Sequence, residues 1–236
     1  MNKKKIKTIA IITAGGSGNR LKSDTKKQFI EIAGRPLIFW TLDKFTNHLE
    51  IDEIIVTLPE DEIKTYSELI ENEYPQDVIT TLPGGEERQD SVFNALLLCS
   101  SNTKYILIHD GVRPFISSED ITRLLESVEE HKAVIPISKI KNTIKEIQNN
   151  KIIKTISKEN LVNALTPQVF EFDLIKSCHQ KAKSEKLYFT DDAAILEHFG
   201  YPVYTVECDS FNIKITDIHD LQIAKVLLEN NFLKDN

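Results

Sequence analysis

The chain has 236 residues, 41% of them hydrophobic, which is enough to bury a large core, and we expect a single domain over residues 1–236. Its formal net charge of −7 argues against general nucleic-acid binding, because a surface that follows a phosphate backbone needs an excess of cations. The three cysteines have no spacing typical of zinc, and no apolar run approaches the roughly 18 residues of a membrane span.

The start of the chain, residues 1–7, is basic, but the apolar run behind it is broken at once by Gly15 and Gly16. This pattern is not that of a signal peptide. We therefore expect a cytoplasmic protein with reduced thiols and no membrane partner.

Apolar and β-branched runs then alternate with segments of helical periodicity. Strands are predicted at residues 6–13, 53–58, 78–82, 105–109, 133–137 and 203–207. Helices are predicted at residues 37–45, 60–73, 91–99, 121–128, 172–183, 191–199 and 217–230. This alternation predicts an α/β fold, a single Rossmann-like three-layer domain with a mostly parallel twisted sheet.

Residues 142–156 depart from the alternation. Two β-rich arms flank Asn149 and Asn150, residue types that tolerate the left-handed conformations of a tight turn. Few large apolar residues and several lysines predict a projecting hairpin at about residues 139–158, available to meet a second subunit.

The first candidate site is the loop at residues 14–20 (AGGSGNR), directly after the first predicted strand. It does not fit the dinucleotide fingerprint, because Leu21 stands where glycine or alanine is needed, nor the P-loop, because Arg20 replaces the second glycine. What remains is either a glycine-rich anion nest beside Arg20, Lys26 and Lys27, or a plain tight turn with solvated cations.

Two further clusters follow strands. Residues 84–91 (GGEERQDS) lead into a helix, so they predict either an anion or base contact or an ordinary helix cap. Residues 109–114 (HDGVRP) end a buried strand, where Asp110 could hold Mg²⁺ beside substrate phosphates or could pair with Arg113 to close the turn.

The last clusters are residues 166–168 (TPQ) and 212–216 (NIKIT). Lys214 lies in a stretch that looks like a strand, where its charge indicates either an anionic partner or protection of a sheet edge. No ordering of serine, histidine and aspartate indicates a hydrolase triad, and the histidines lack metal-ligand spacing.

Taken together, these motifs resemble the 2-C-methyl-D-erythritol 4-phosphate cytidylyltransferases of the non-mevalonate isoprenoid pathway. The resemblance runs nearly end to end and rests on AGGSGNR with KKQF, GGEERQDSV, HDGVRPF, LTPQVF, FTDDA and NIKIT, all in the order of the family. It implies an enzyme that transfers a cytidylyl group from CTP to methylerythritol phosphate and releases pyrophosphate, with Mg²⁺ as cofactor.

The resemblance also implies roles for individual residues. Arg20, Lys27 and Lys214 would be catalytic, neutralising charge around the α-phosphorus, and Asp110 would bind Mg²⁺. The expected CTP contacts come from Ala14, Gly15, Gly16, Ser17, Gly18, Gly84, Gly85, Ser91 and Arg113. The expected acceptor contacts come from Thr143, Lys158, Thr166, Thr190, Asp191 and Lys214, with Arg113 shared between both substrates.

The family is similar in having a β-arm that crosses between two subunits. The hairpin is therefore expected to form a homodimer in which Thr143 and Lys158 act on the substrate of the neighbour.

Two departures stand out. Lys26 replaces a proline that is usual in the family, which predicts a less rigid loop, and Lys158 replaces an arginine, which loses the bidentate fork on a phosphate.

Two other functions remain open at this point. A ribitol-5-phosphate cytidylyltransferase would share the fold and the turn at residues 109–115. A nucleotide-binding module without catalysis would be expected to lack Arg20, Lys27 or Asp110, all of which are present.

Overall fold

The computed structural model describes residues 6–16, 26–75 and 77–229. Their strands are β1 Lys7–Thr13, β2 Glu31–Ile32, β3 Arg35–Pro36, β4 Glu53–Leu58, β5 Ile79–Pro83, β6 Thr103–Asp110, β7 Ala133–Lys139, β8 Ile144–Gln148, β9 Lys151–Ile156, β10 Val162–Ala164, β11 Gln168–Glu171 and β12 Tyr204–Glu207. Their α-helices are α1 Leu37–Thr46, α2 Ile63–Glu73, α3 Arg88–Leu98, α4 Ser118–His131, α5 Phe172–Glu185, α6 Asp192–His198 and α7 Ile218–Glu229. Short 3₁₀ helices cover Lys27–Phe29 and Glu60–Glu62.

Eight of these strands form the central sheet, in the order β10-β7-β11-β6-β1-β4-β5, with β12 also paired to β7. The pairs of β1 with β4 and β6, of β4 with β5 and of β7 with β12 are parallel. Strand β11 runs antiparallel to both β6 and β7, and β10 runs antiparallel to β7. The predicted α/β fold with a mostly parallel sheet is therefore confirmed, with two reversed strands that the sequence pattern did not predict.

The middle of strand β1, residues 9–12, is apolar and buried because helices cover both faces of the sheet. On one face, Ala10 and Ile12 pack in a core that includes Phe45 of α1 and Leu124 of α4. On the other face, Ile9 and Ile11 belong to a second core built with α3, α5 and α6. Alternation along one strand thus supplies both cores of a three-layer domain.

The strand register places three loops at one edge of the sheet. Thr13, the last residue of β1, is paired with Asp110 at the end of β6 and with Thr57 of β4. Pro83, which ends β5, lies beside Leu58. Because the carboxyl ends of parallel strands meet at the same edge, the loops that follow β1, β5 and β6 converge there, as in open α/β sheets generally.

Strands β8 and β9 pair with each other in a separate two-stranded sheet, and this hairpin is the one predicted. Asn149 and Asn150 have φ of 48° and 63°, the left-handed values that a tight hairpin turn requires. Ile147 and Ile152, directly opposite one another, are each 65% exposed. The hairpin therefore carries an apolar surface that the protomer itself does not cover.

One local expectation is wrong. Residues 212–216 are irregular backbone and not a strand, although the Ile215 N–H donates to the carbonyl oxygen of Val112 at 3.0 Å. That bond and the one from Arg113 Nη1 to the carbonyl oxygen of Asn212 fasten the segment to the loop after β6. Lys214 is therefore held near Asp110 by a loop contact and is not on a sheet edge.

Candidate active site

A cleft of about 490 Å³ opens at the edge of the sheet where β1, β5 and β6 end. Its walls come from the loops after β1 and β5, from the first turn of α3, from the end of β6 and from the segment around Lys214. The residues lining it that the sequence singled out are Ala14, Gly15, Gly16, Lys27, Gly85, Ser91, Asp110 and Lys214. Residues distant in the chain are thus collected in one place.

Glycines form the wall at which β1 and β5 end. A Cβ on Gly84 would lie 3.0 Å from Ser91 Oγ, and one on Gly85 would lie 2.3 Å from the Cβ of Asp90, closer than real atoms approach. The Gly85 N–H donates to Ser91 Oγ at 3.0 Å. The loop therefore packs flat on the start of α3, which exposes backbone to a ligand.

Gln28 connects the loop after β1 to the cleft. It is 2% exposed, and its side-chain amide donates to the carbonyl oxygens of Ala14 and Gly16. The preceding residue, Lys27, lines the cleft, so the same short 3₁₀ helix holds the glycine loop and presents a cation. Ser17, Gly18 and Arg20, predicted to contact the triphosphate, lie outside the described residues.

Asp110 is surrounded by cations. Its Oδ1 lies 3.3 Å from Arg88 Nε, and its Oδ2 lies 3.1 Å from Arg113 Nε and 3.0 Å from Lys214 Nζ. Burial of this carboxyl favours its neutral form, but the charges of Arg88, Lys214 and Arg113 outweigh that effect and hold the pKa of Asp110 far below its ordinary value. Asp110 is therefore ionised at any physiological pH.

A buried hydrogen-bond chain supports the backbone of Asp110. His109 Nε2 lies 3.0 Å from the carbonyl oxygen of Arg113, which can only accept, so this nitrogen carries the proton. Its Nδ1 then accepts from the Thr166 hydroxyl at 2.9 Å, and Thr166 Oγ1 accepts from the Asp110 N–H at 3.2 Å. Burial lowers the pKa of His109 to about 4, so the ring is neutral and its tautomer is fixed by these partners.

Arg88 continues the network away from the cleft. Its Nη1 lies 2.7 Å from Asp192 Oδ2, and Asp192 Oδ1 lies 3.1 Å from His179 Nε2. Burial opposes the charge of Arg88, but Asp192 and Asp110 outweigh it and raise the pKa of the guanidinium. Asp192 likewise has its pKa lowered, because Arg88 and His179 outweigh the cost of its burial.

The neighbouring residue Asp191 caps α6. Its Oδ1 accepts from the Ala194 N–H at 3.0 Å, and its Oδ2 accepts from Gln168 Nε2 at 2.7 Å. Gln168 Oε1 in turn accepts from the Ala193 N–H at 2.9 Å. Gln168 of the TPQ motif and Asp191 of the FTDDA motif thus fasten the start of α6 to β11.

The remaining predicted site residues are distributed unevenly. Arg113 and Thr166 are buried directly behind Asp110, and Gly84 lies against Gly15. Thr190 is exposed beside Asp191. Thr143 and Lys158 lie at the base of the hairpin, exposed, and do not line the cleft of their own chain.

Four residues that belong to this network were not assigned roles from the sequence: Arg88, Gln28, Asp192 and His179. The first three lie inside motifs quoted above, so the sequence did contain a signal for them. That signal was a charged or amide side chain close to a glycine pair or to a helix cap. His179 lies on α5 in no motif, and only the fold brings it to Asp192.

The comparisons with known proteins agree with this geometry. The family model described as IspD, 2-C-methyl-D-erythritol 4-phosphate cytidylyltransferase, matches residues 8–230. The chain belongs to this cytidylyltransferase family. It is therefore an enzyme of a nucleotidyltransferase family, and its fold is that of solved members.

Relatives of the same name cover nearly the whole enzyme. One from Clostridium botulinum (strain Loch Maree / Type A3) is 40% identical over 229 residues, which is 94% of this chain and 98% of the relative. One from Clostridium perfringens (strain SM101 / Type A) is 41% identical over 221 residues, 93% and 97% of the two chains. The crystal structure of 4-diphosphocytidyl-2C-methyl-D-erythritol synthase from Anaerococcus prevotii DSM 20548 is similar with a TM-score of 0.83 and 32% identity, covering 95% and 99%.

Among the helices of the described residues, none combines the length and apolar character needed to span a bilayer.

Proposed function

We propose that this cytidylyltransferase transfers a cytidylyl group from CTP to the phosphate of 2-C-methyl-D-erythritol 4-phosphate, giving 4-diphosphocytidyl-2-C-methyl-D-erythritol and pyrophosphate. One observation carries the proposal: the glycine wall, Lys27, Asp110 and Lys214 share one cleft at the carboxyl edge of the sheet. A glycine-lined backbone suits a triphosphate, and two lysines suit the meeting of two polyanions.

The reaction needs positioning more than proton transfer. A phosphate oxygen of the acceptor forms a bond to the α-phosphorus of CTP, and the bond from that phosphorus to the oxygen bridging to the β-phosphate breaks, so the electron pair leaves with pyrophosphate. The acceptor phosphate is already ionised at neutral pH, so no strong base is required. Lys27 and Lys214 reduce the repulsion between the esters, as Arg20 would from outside the described residues.

Lys214 has a special place in this scheme. Its side chain is 38% exposed and its Nζ lies 3.0 Å from Asp110 Oδ2. An arriving phosphate can therefore share this ammonium without burying a new charge. Arg113 cannot turn in the same way, because its Nη1 donates to the carbonyl oxygen of Asn212 at 2.9 Å. We assign Lys214 to direct phosphate contact and Arg113 to the support of Asp110.

Mg²⁺ fits Asp110 as a cation that arrives with the nucleotide. A carboxylate offers about four acceptor positions, and three are used by Arg88, Arg113 and Lys214, so one remains among the contacts of the described residues. Within the same residues, no group of three or more acidic, histidine or cysteine side chains could form an all-protein site. Mg²⁺ commonly binds through one carboxylate plus substrate phosphates, where it neutralises charge on the phosphates.

The acceptor side and the second subunit are part of the same proposal. Thr166, Thr190 and Asp191, near β11 and α6, are not among the residues that line the cleft, and we propose that they contact the polyol once both substrates are bound. We propose that the enzyme is a cytoplasmic homodimer in which the β8–β9 hairpin brings Thr143 and Lys158 to the cleft of the neighbour. The exposed isoleucines of the hairpin support this assignment, because they would be covered by a partner.

A pyrophosphate-release assay tests the transfer directly. With Mg²⁺ and CTP, we expect methylerythritol phosphate to be a better acceptor than ribitol 5-phosphate, and calorimetry should show tighter binding of CTP than of UTP or ATP. A preference for ribitol 5-phosphate would overturn the acceptor assignment, and equal binding of all three nucleotides would overturn the cytidine assignment.

The role of Lys27 has its own test. Lys27→Ala should fold normally and lose about 10²-fold or more in turnover, because a cation near the transferring group is removed. Lys64→Ala, which alters an exposed lysine on α2 outside the cleft, is the matched control. Full turnover in Lys27→Ala would refute the assigned role.

A further inference from the structure

A chain of ionisable side chains leads from the cleft into the space between α3, α5 and α6. It runs from Asp110 to Arg88, then to Asp192 and then to His179, with contacts of 3.3, 2.7 and 3.1 Å. Asp192 and His179 are each 1% exposed. Neither of these two residues lines the cleft, so any effect on the reaction must pass through Arg88.

We propose that Arg88 is a positioning residue of the transfer reaction, which orients the Asp110 carboxylate in the cleft and takes its own orientation from Asp192 and His179. This inference rests on the proposed function and deepens it. It assigns a task to a guanidinium that the transfer chemistry itself does not require.

The division of contacts on the carboxylate is the first reason. Arg113 and Lys214 both meet Oδ2, whereas Arg88 meets Oδ1. Among the described residues, Arg88 is thus the cation that fixes the rotation of the carboxylate about its own axis. Lys214 would turn toward an arriving phosphate, so the hold on Asp110 then comes from the two cations that stay in place, Arg113 on Oδ2 and Arg88 on Oδ1.

The second reason is that Arg88 is itself held rigidly. A guanidinium is planar and presents donors in a fixed fork, so contacts to Asp110 through Nε and to Asp192 through Nη1 set its plane. The His179 contact takes the other oxygen of Asp192 and so fixes that carboxylate too. Each member of the chain has its rotation determined by the next.

The third reason is energetic. Burying ionised groups is costly, and a buried ion pair is often no more stabilising than apolar side chains of the same volume. Asp192 is 1% exposed, whereas the side chain of Arg88 is 29% exposed and lines the cleft, so the pair joins a buried carboxylate to the site. An ion pair beside a cleft is better explained by a need to orient neighbouring side chains than by a need for stability.

Another contact between α3 and α5 supplies a control. The two residues that follow Arg88 also contact the α5–α6 region: Gln89 donates to the Leu187 carbonyl oxygen at 2.9 Å, and Asp90 pairs with Lys183 at 2.6 Å. The Lys183 pair joins α3 to α5 as the Arg88 pair joins α3 to α6, but Lys183 has no contact with Asp110 and does not line the cleft. Lys183→Met therefore removes a contact between α3 and α5 without disturbing the carboxylate of Asp110.

The experiment compares Arg88→Gln, Arg88→Lys, Asp192→Asn and Lys183→Met with the wild type. Turnover, KM for CTP and for the acceptor, and thermal unfolding are measured for each, and calorimetry measures CTP binding with and without Mg²⁺. We expect Arg88→Gln to lose about 10- to 100-fold in kcat, as changes behind a metal or substrate contact commonly do. Arg88→Lys, which keeps the charge but cannot reach both carboxylates with one nitrogen, should recover part of that loss.

The remaining variants are expected to separate positioning from stability. Asp192→Asn should lower kcat in the same direction as Arg88→Gln but less, since Arg88 stays in place with a weaker partner. Lys183→Met should keep wild-type kcat even if its melting temperature falls. In calorimetry, Arg88→Gln should weaken CTP binding more with Mg²⁺ than without it, because Asp110 is the group that loses its orientation.

Three outcomes would overturn the proposal. The first is wild-type kcat in folded Arg88→Gln, or in both Arg88→Lys and Asp192→Asn if Arg88→Gln does not fold. The second is an equal loss of kcat in Lys183→Met, which would show a merely structural effect. The third is unchanged CTP affinity of Arg88→Gln in Mg²⁺. This last measurement needs no acceptor, so it judges the positioning role even if the wild type fails to use methylerythritol phosphate and the proposed function falls.

Discussion

Replacing Asp110 by asparagine should destabilise the protein while making its cleft more attractive to a polyanion. Asparagine preserves the size of the side chain but removes the charge that three cations share. Arg88 keeps Asp192 as a partner, and Lys214 can move into solvent. The uncompensated charge therefore falls mainly on buried Arg113, whose other contact is the carbonyl oxygen of Asn212.

The size of the effect follows from that arrangement. Breaking a buried pair by removing one partner costs about 3–5 kcal/mol, and we expect the lower end, about 3 kcal/mol, because two of the three cations have alternatives. For a chain of this length, that corresponds to a melting temperature lower by about 6–12 °C. Urea unfolding at pH 7 without nucleotide or Mg²⁺ measures it, with Asp61→Asn, an exposed partner of Lys26, as the control that should change little.

The pH dependence provides a second check on the same variant. Asp110 has its pKa far below the ordinary value of 3.8 in the folded state, so its contribution is complete above that value and is lost as the pH falls through the folded pKa. The stability difference between wild type and Asp110→Asn should therefore be constant from pH 5 to 8 and should narrow only at strongly acidic pH. An unchanged urea midpoint for Asp110→Asn at pH 7, or a difference that narrows already near neutrality, would refute the reasoning.

Three further changes have defined outcomes. Gly85→Ala places a Cβ 2.3 Å from that of Asp90, so the loop must shift by a good fraction of an ångström. We expect the affinity for CTP, measured by calorimetry, to fall about 10-fold or more, and an unchanged affinity would contradict the packing. Lys158→Arg restores the bidentate fork and should lower the KM for the acceptor without altering the KM for CTP, provided the hairpin reaches the neighbouring cleft; no change in either constant would count against that contact. Lys26→Pro should leave stability unchanged or raise it by up to about 1 kcal/mol in urea unfolding, and a clear loss would show that the ring does not fit.

The middle of the central sheet could be predicted because β1, β4 and β6 are buried on both faces. An apolar run such as residues 6–13 leaves few alternatives when it is short and followed by glycines. The reversed strands β10 and β11 were missed because each has only three or four residues, too few for an alternating pattern to be recognised. Their pairing with β7 depends on long-range contacts, which local pattern does not encode.

The candidate site could likewise be predicted only in part. The motifs identified the glycine wall and Asp110, since residues at the ends of parallel strands must share an edge of the sheet. The partner of Arg88 could not be predicted, because Asp192 is 104 residues away in the chain and the contact exists only after α3 and α6 pack on the same face. Lys214 was assigned to the site by the resemblance to the family, whereas its segment was expected to be a strand and is a loop.

Lys26 illustrates how a departure from the family pattern is absorbed. The residue has φ of −61°, which is within the range that proline enforces, so the backbone keeps the conformation that a proline would impose. Its ammonium lies 2.6 Å from Asp61 Oδ1 and 3.8 Å from Glu62 Oε1, which ties the start of the Lys27–Phe29 helix to the 3₁₀ helix before α2. An ionic restraint stands here where proline would supply a covalent one. Because salt screens ion pairs near the surface, the placement of Lys27 should depend on ionic strength more in the wild type than in Lys26→Pro.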